Sequence, residues 1–218
     1  MDFQKKYGKI LLPLITPYDE NEEIDYGKYA ELIEYVITND LCDSLIVTGT
    51  TGEASLLTFD ERVKLFETAV KASAGRKPVI AGTGCASTKE TIALTNKAYD
   101  LGIELALIVC PFYNKPTQEG LFQHFSAVAR EGGLPVILYN VPGRTGRDMT
   151  NDTVLRLAEV PGIVGLKDAT GDLARAEALL AALPKDKDFA LYSGNDDSAL
   201  ALVLAGGQGV ISVTANVA

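Results

Sequence analysis

Residues 163–171 read Ile163-Val-Gly-Leu-Lys167-Asp168-Ala-Thr-Gly171. Ile163, Val164 and Leu166 form a short apolar run with no polar face, the pattern of a parallel strand covered on both sides. Lys167 stands at the end of that run. An ammonium group in low dielectric is costly. Either its head reaches water, or a carboxylate pairs with it, or the site requires an amine.

The same kind of run recurs along the chain. Strands are expected at Ile10–Thr16, Ser44–Gly49, Pro78–Gly84, Leu105–Pro111, Pro135–Val141, Ile163–Asp168, Phe189–Gly194 and Gly209–Thr214. Amphipathic segments separate them. Asp25–Asn39 carries Leu32, Ile33, Val36 and Ile37 at helical spacing. Thr58-Phe-Asp-Glu61 and Ser87-Thr-Lys-Glu90 read as capping boxes that start the second and third helices. Further helices are expected at Thr117–Arg130, Thr150–Glu159, Asp172–Leu183 and Asp196–Ala205, with Gly102, Gly132–Gly133 and Gly206–Gly207 at helix ends. Asp19–Glu23 and Lys185–Asp188 read as solvated loops.

Eight strands separated by seven helices point to an α/β fold of the (β/α)8 TIM barrel type, with eight parallel strands in one domain, residues 1–218. A doubly wound sheet is the competitor. It often carries a Gly-rich phosphate loop after its first strand, and here that position is Thr16-Pro-Tyr-Asp19.

Composition narrows the function. The 218 residues are 47% hydrophobic and 22% charged, enough for a sizeable core. A net charge of -9 with scattered basic residues argues against nucleic acid as a partner. No apolar run approaches a membrane span, and Met1–Lys9 is too polar for a signal peptide. Cys42, Cys85 and Cys110 are odd in number and widely spaced, as expected for free thiols in a reducing cytoplasm.

In a barrel, chemistry gathers at the C-terminal strand ends. Those ends carry Thr48–Glu53, Cys110–Lys115, Tyr139–Thr145, Lys167–Asp168, Ser193–Asn195 and Val213–Thr214. The single histidine, His124, falls inside the fourth helix, where a surface or interface role is expected. A Ser–His–Asp device and a His-rich metal site are thereby set aside. Glu53 and Asp168 could hold Mg²⁺, but their neighbours suit structural or counter-charge roles, and no metal is expected. Gly82-Thr-Gly84 is too short for a dinucleotide fingerprint.

What remains is an amine nucleophile. A lysine of ordinary pKa is free base in about one molecule in 2,500 at pH 7. Desolvation and a nearby cation such as Arg144 would raise that fraction. Lowering the pKa by about 3 units costs roughly 4 kcal/mol. Adjacent strand residues point to opposite faces, so Lys167 facing the barrel sends Asp168 away from it.

Gly49-Thr-Thr-Gly-Glu53, Pro111-Phe-Tyr-Asn-Lys-Pro-Thr-Gln-Glu119, Tyr139-Asn-Val-Pro-Gly-Arg-Thr-Gly146, Val164-Gly-Leu-Lys-Asp-Ala-Thr170 and Gly209-Val-Ile-Ser-Val-Thr-Ala-Asn216 resemble the dihydrodipicolinate synthase (4-hydroxy-tetrahydrodipicolinate synthase) family. The likeness runs from about Lys9 to the last residue. It implies a cytoplasmic class I aldolase on a (β/α)8 barrel that condenses pyruvate with aspartate 4-semialdehyde on the route to lysine and diaminopimelate. On that reading Lys167 holds pyruvate as a covalent imine and no separate cofactor is needed. Tyr139 is the implied proton donor and acceptor, relayed through Thr50 and Tyr113, the latter reaching in from a neighbouring subunit. A homo-oligomer, dimer or tetramer, follows. Thr51 is the implied seat of the pyruvate carboxylate, Ile211 supplies main-chain contact, Arg144 meets the second substrate's carboxylate and Gly194 leaves room at the mouth. Sialic acid and keto-deoxy sugar acid lyases share the lysine, the tyrosine and the Gly-x-x-Gly-Glu turn, but lack the Pro-Gly-Arg-Thr segment.

Three features depart from the family. Its members continue past strand eight with a barrel helix and further helices. The present chain is therefore expected to be a C-terminally shortened barrel with an apolar seam between its first and seventh helices, lower stability and altered assembly or activity. Ala54, Phe59, Arg62 and Phe112, with Glu90 retained, stand where feedback-sensitive members surround lysine, so weak or no lysine inhibition is expected. Phe112 also replaces a second tyrosine. A working synthase and a catalytically silent barrel scaffold both remain open on sequence alone.

Overall fold

The alternation closes on itself. In the computed structural model, which describes residues 3–184 and 187–217, the chain begins with helix α1 (Phe3–Tyr7), strand β1 (Ile10–Pro13), α2 (Tyr26–Thr38) and β2 (Ser44–Val47). It continues through α3 (Phe59–Ser73), β3 (Val79–Gly82), α4 (Thr88–Asp100), β4 (Ala106–Val109), α5 (Gln118–Glu131) and β5 (Val136–Asn140). The last part comprises α6 (Pro142–Thr145), α7 (Asn151–Ala158), β6 (Ile163–Asp168), α8 (Leu173–Ala182), β7 (Ala190–Ser193), α9 (Ala199–Leu204), β8 (Gly209–Ile211) and a 3₁₀ turn (Thr214–Asn216). Among the described residues eight strands, each parallel to its neighbours, form a closed barrel sealed by β1 against β8. This is the (β/α)8 barrel expected from the pattern; the doubly wound sheet is overturned by the closure. Of the expected Lys185–Asp188 loop, Lys185 and Asp186 lie outside the described residues, as do Met1, Asp2 and Ala218.

Side-chain alternation along the strands sorts the core into two shells. Leu12, Leu45, Val47, Ile108, Leu138 and Leu166 face outward into the helices. Leu11, Ile46, Ile80, Leu107, Ile137, Tyr139, Tyr192 and Ile211 fill the barrel. The inner set includes Phe3 and Tyr7 of α1, which close the floor with Tyr192: the Phe3 and Tyr7 rings lie 4.6 Å apart and the Tyr192 hydroxyl donates to the Gly8 carbonyl at 2.6 Å.

Several expected elements change at their ends. Most strands stop one to three residues early, and Leu14 to Thr16 and Ser212 to Thr214 belong to loops and turns. Thr58 forms a complete capping box with Glu61. The box at Ser87 is half formed: Ser87 accepts from the Glu90 N–H, while Glu90 lines a cavity. Helix α9 begins three residues later than expected, because the Asp196 carboxylate is taken by Ser212 and the backbone N–H groups of Val213 and Thr214. Leu200 and Leu204 on α9 are exposed.

His124 corrects the sequence reading most clearly. It is buried, not on the surface, and its Nδ1 pairs with the Thr88 hydroxyl at 2.8 Å, tying α5 to the start of α4. Its Nε2 has no hydrogen-bond partner among the described residues, and burial lowers its pKa to about 4.

Candidate active site

Strand β6 puts Lys167 between two tyrosines, in register with Tyr139 of β5 and Tyr192 of β7. Lys167 is 5% exposed, and its Nζ lies 4.2 Å from the centre of the Tyr139 ring. Burial lowers its pKa to about 7; the Asp196 carboxylate opposes that shift and the Arg144 cation adds to it. About half of the molecules then carry a neutral amine at pH 7. Asp168 points to the other side of the strand, where it accepts from the Thr170 hydroxyl at 2.8 Å, and its own burial raises its pKa.

Tyr139 is buried as well. Burial raises its phenol's pKa, while hydrogen bonding by the Thr50 side chain and the charge of Arg144 pull it down. Tyr139, Thr50 and Arg144 share the wall of a cavity of about 420 Å³ that continues to Arg62, Cys85, Glu90 and Phe112. Lys167 is not on that wall. Tyr139 is the residue that both lines the cavity and touches the lysine.

The other expected residues distribute as follows. Gly194 follows β7, and its bare α-carbon sits against Lys167: a Cβ there would fall 3.0 Å from Lys167 Cε and 2.7 Å from Ala169 Cβ. The room that this glycine leaves is beside the lysine. Ile211 is fully buried in the same inner shell as Tyr139. Thr51 is half-buried in the turn just past the cavity wall. Tyr113 stands apart, 89% exposed and absent from the cavity lining.

The rim also stores backbone strain. Thr48, Glu53, Tyr113 and Lys115 all have positive φ, between 49° and 71°, a conformation that is uncommon for non-glycine residues.

Two contributors are absent from the sequence reading. Asp196 is the carboxylate whose field reaches Lys167; it lies one residue beyond the strand end Ser193–Asn195. Arg175 Nη1 donates to both carboxylate oxygens of Asp148, at 2.7 and 2.6 Å, behind the Arg144 turn. Among the described residues no group of three or more His, Cys, Asp or Glu side chains is placed to hold a metal ion. No described helix is long and apolar enough to cross a membrane.

The model of the Dihydrodipicolinate synthetase family matches residues 6–218. The chain belongs to that family. Among its relatives, the 4-hydroxy-tetrahydrodipicolinate synthase of Nitrosospira multiformis is 56% identical over 208 residues, covering 95% of this chain and 68% of that protein. The synthase of Thiobacillus denitrificans is 54% identical over 208 residues, 95% of this chain and 69% of the other. Among solved structures, the dihydrodipicolinate synthase of Acinetobacter baumannii, complexed with pyruvate, superposes with a TM-score of 0.92 at 48% identity, covering 96% of this chain and 71% of that one. The sugar-acid lyase alternative finds no support among these dihydrodipicolinate synthetase relatives.

Proposed function

We propose that this chain is a 4-hydroxy-tetrahydrodipicolinate synthase, a lyase that condenses pyruvate with aspartate 4-semialdehyde in lysine and diaminopimelate biosynthesis. The observation that carries this reading is the Lys167 amine, enclosed by the barrel, 4.2 Å from the Tyr139 ring and brought to a pKa of about 7.

Lys167 Nζ attacks the pyruvate carbonyl carbon and water leaves as the imine forms. The protonated imine draws electrons from the adjacent methyl, which loses a proton and becomes an enamine. The enamine carbon bonds to the aldehyde carbon, whose oxygen takes up a proton. The amine of the second substrate then replaces Lys167 at the imine carbon, closing the ring and restoring the enzyme. The imine is its own electron sink, so no cofactor is required.

Tyr139 carries protons to and from these intermediates. A phenol of raised pKa works near neutral pH only through a relay; Thr50 supplies its first link. Tyr113, exposed on this chain, completes the relay of a neighbouring copy, which makes the working unit a homodimer or a tetramer. Thr51 seats the pyruvate carboxylate with main-chain help from Ile211. Arg144 grips the second substrate's carboxylate, a task suited to a planar guanidinium fork. The enzyme is cytoplasmic and acts as one barrel domain.

Coupled turnover decides between synthase and scaffold. The expected result is consumption of pyruvate only when aspartate semialdehyde is present, abolished in Lys167→Ala. Folded protein without turnover supports a silent scaffold, and cleavage of a sialic or keto-deoxy sugar acid supports a lyase.

A further inference from the structure

Arg144 lies on α6, a four-residue helix with no side-chain N-cap that ends on Gly146 at φ 71°. One turn of helix does not hold its own geometry in water. The segment must therefore be fixed from outside, and the structure shows where. Just past the turn, the Asp148 carboxylate accepts two hydrogen bonds from Arg175 Nη1, at 2.7 and 2.6 Å, and one from Asn140 Nδ2 at 2.8 Å. Arg175 Nη2 also donates to the Met149 carbonyl. The Met149 N–H donates to Asn140 Oδ1 at 3.0 Å, and the Asp148 carbonyl accepts from Gln118 Nε2 at 2.7 Å.

Each anchor belongs to a different rigid element. Asn140 is fully buried at the end of β5, Gln118 opens α5, and Arg175 lies in the first turn of α8 with only 16% of its side chain exposed. A guanidinium so enclosed needs its partners, and the half-exposed Asp148 carboxylate is the charged one. Neither Asp148 nor Arg175 lines the cavity. Their connection to it runs through the turn that carries Arg144.

We propose that Asp148 and Arg175 are positioning residues that lock the Arg144 turn onto β5 and α8 and thereby set the enzyme's grip on the carboxylate of the second substrate. The proposal rests on the role given to Arg144 above. A displacement of about 1 Å at a substrate-orienting group lowers rate by up to roughly 100-fold.

Arg175→Lys keeps the charge and loses the fork, and Asp148→Asn is nearly the same shape. Both are expected to raise KM for aspartate semialdehyde and lower kcat/KM for it by roughly 10- to 100-fold. Borohydride trapping of pyruvate on Lys167 should keep its wild-type rate, which shows that the barrel and the imine site are intact. In the Arg144→Ala background, Arg175→Lys should add no further loss. The proposal is overturned by an unchanged aldehyde KM in both variants, by a parallel loss of pyruvate trapping, or by losses that multiply in the double variant. An Arg144→Ala variant with normal aldehyde KM would instead overturn the reading of Arg144, and this proposal with it.

Discussion

Replacing Gly194 by alanine puts a methyl group where the structure has no space for one. The new carbon would lie 2.7 Å from Ala169 Cβ, 3.3 Å from Ala169 Cα and 3.0 Å from Lys167 Cε. Carbon pairs settle at about 3.5–4.0 Å, so something must move by roughly 0.5–1 Å. Ala169 is tied to the barrel by its N–H, which donates to the Asn140 carbonyl at 2.9 Å, and it has no rotamer to change. The lysine can yield to the 3.0 Å contact, while the 2.7 Å contact is relieved only by a backbone shift at Gly194 or at Ala169, two residues after the lysine, so the amine is displaced in either case. Overpacking of this kind costs about 1–3 kcal/mol, or roughly 2–12 °C in Tm for a chain of this size. Moving the amine should slow imine formation by up to about 100-fold. The assay is the initial rate of borohydride trapping with pyruvate, read by intact mass beside a thermal melt. A Gly194→Ala protein that traps pyruvate at the wild-type rate would refute the close packing of this glycine against the nucleophile.

The lysine itself should destabilise the fold. Its pKa is about 7 in the native protein and about 10.4 when unfolded, so the unfolded chain binds a proton that the native one releases. Lys167→Met is therefore expected to gain on the order of a few kcal/mol, fully present below pH 7 and fading as pH rises towards 10.4; paired melts across that range check it. His124 acts at the acid end. Its native pKa of about 4 lies below the unfolded value of about 6.5, so its contribution is lost as pH falls from 6.5 to 4, by about 3 kcal/mol. His124→Gln should flatten that part of the acid denaturation curve, and an unchanged curve would speak against the buried, neutral imidazole. Free lysine should leave turnover unaltered, because Arg62, buried and donating to the Gly82 carbonyl at 2.7 Å, presents a fixed cation in the cavity wall. Saturable inhibition in a steady-state titration would contradict this.

How far the sequence could be read depended on the length of each signal. The run Ile163–Asp168 became β6 with both ends as expected, because Gly162 at φ 90° and the turn to Ala169 bound it sharply. Other strands were read too long where apolar residues such as Leu14 run on into buried loops. The helices α1 and α6, five and four residues long, span little more than one turn, too short to repeat an apolar spacing. His124 was misread although its signal was present: Leu121, His124, Phe125 and Val128 form one buried helical stripe. The lysine, tyrosine, threonine and arginine of the site were legible as strand-end residues. Asp196 and the Asp148–Arg175 pair were not, since their partners lie 16 to 27 residues away in sequence. Tyr113 was legible as a strand-end residue, and the structure leaves it exposed and outside the cavity lining.

The most direct measurement exposes the protein to pyruvate and borohydride at a series of pH values and follows the mass of the intact chain. The expected result is one pyruvate-derived adduct on Lys167, absent from Lys167→Ala, whose rate of formation is half-maximal near pH 7. An adduct on another lysine, none on folded protein, or a rate that keeps climbing tenfold per pH unit beyond pH 9, as for an ordinary lysine, would contradict it.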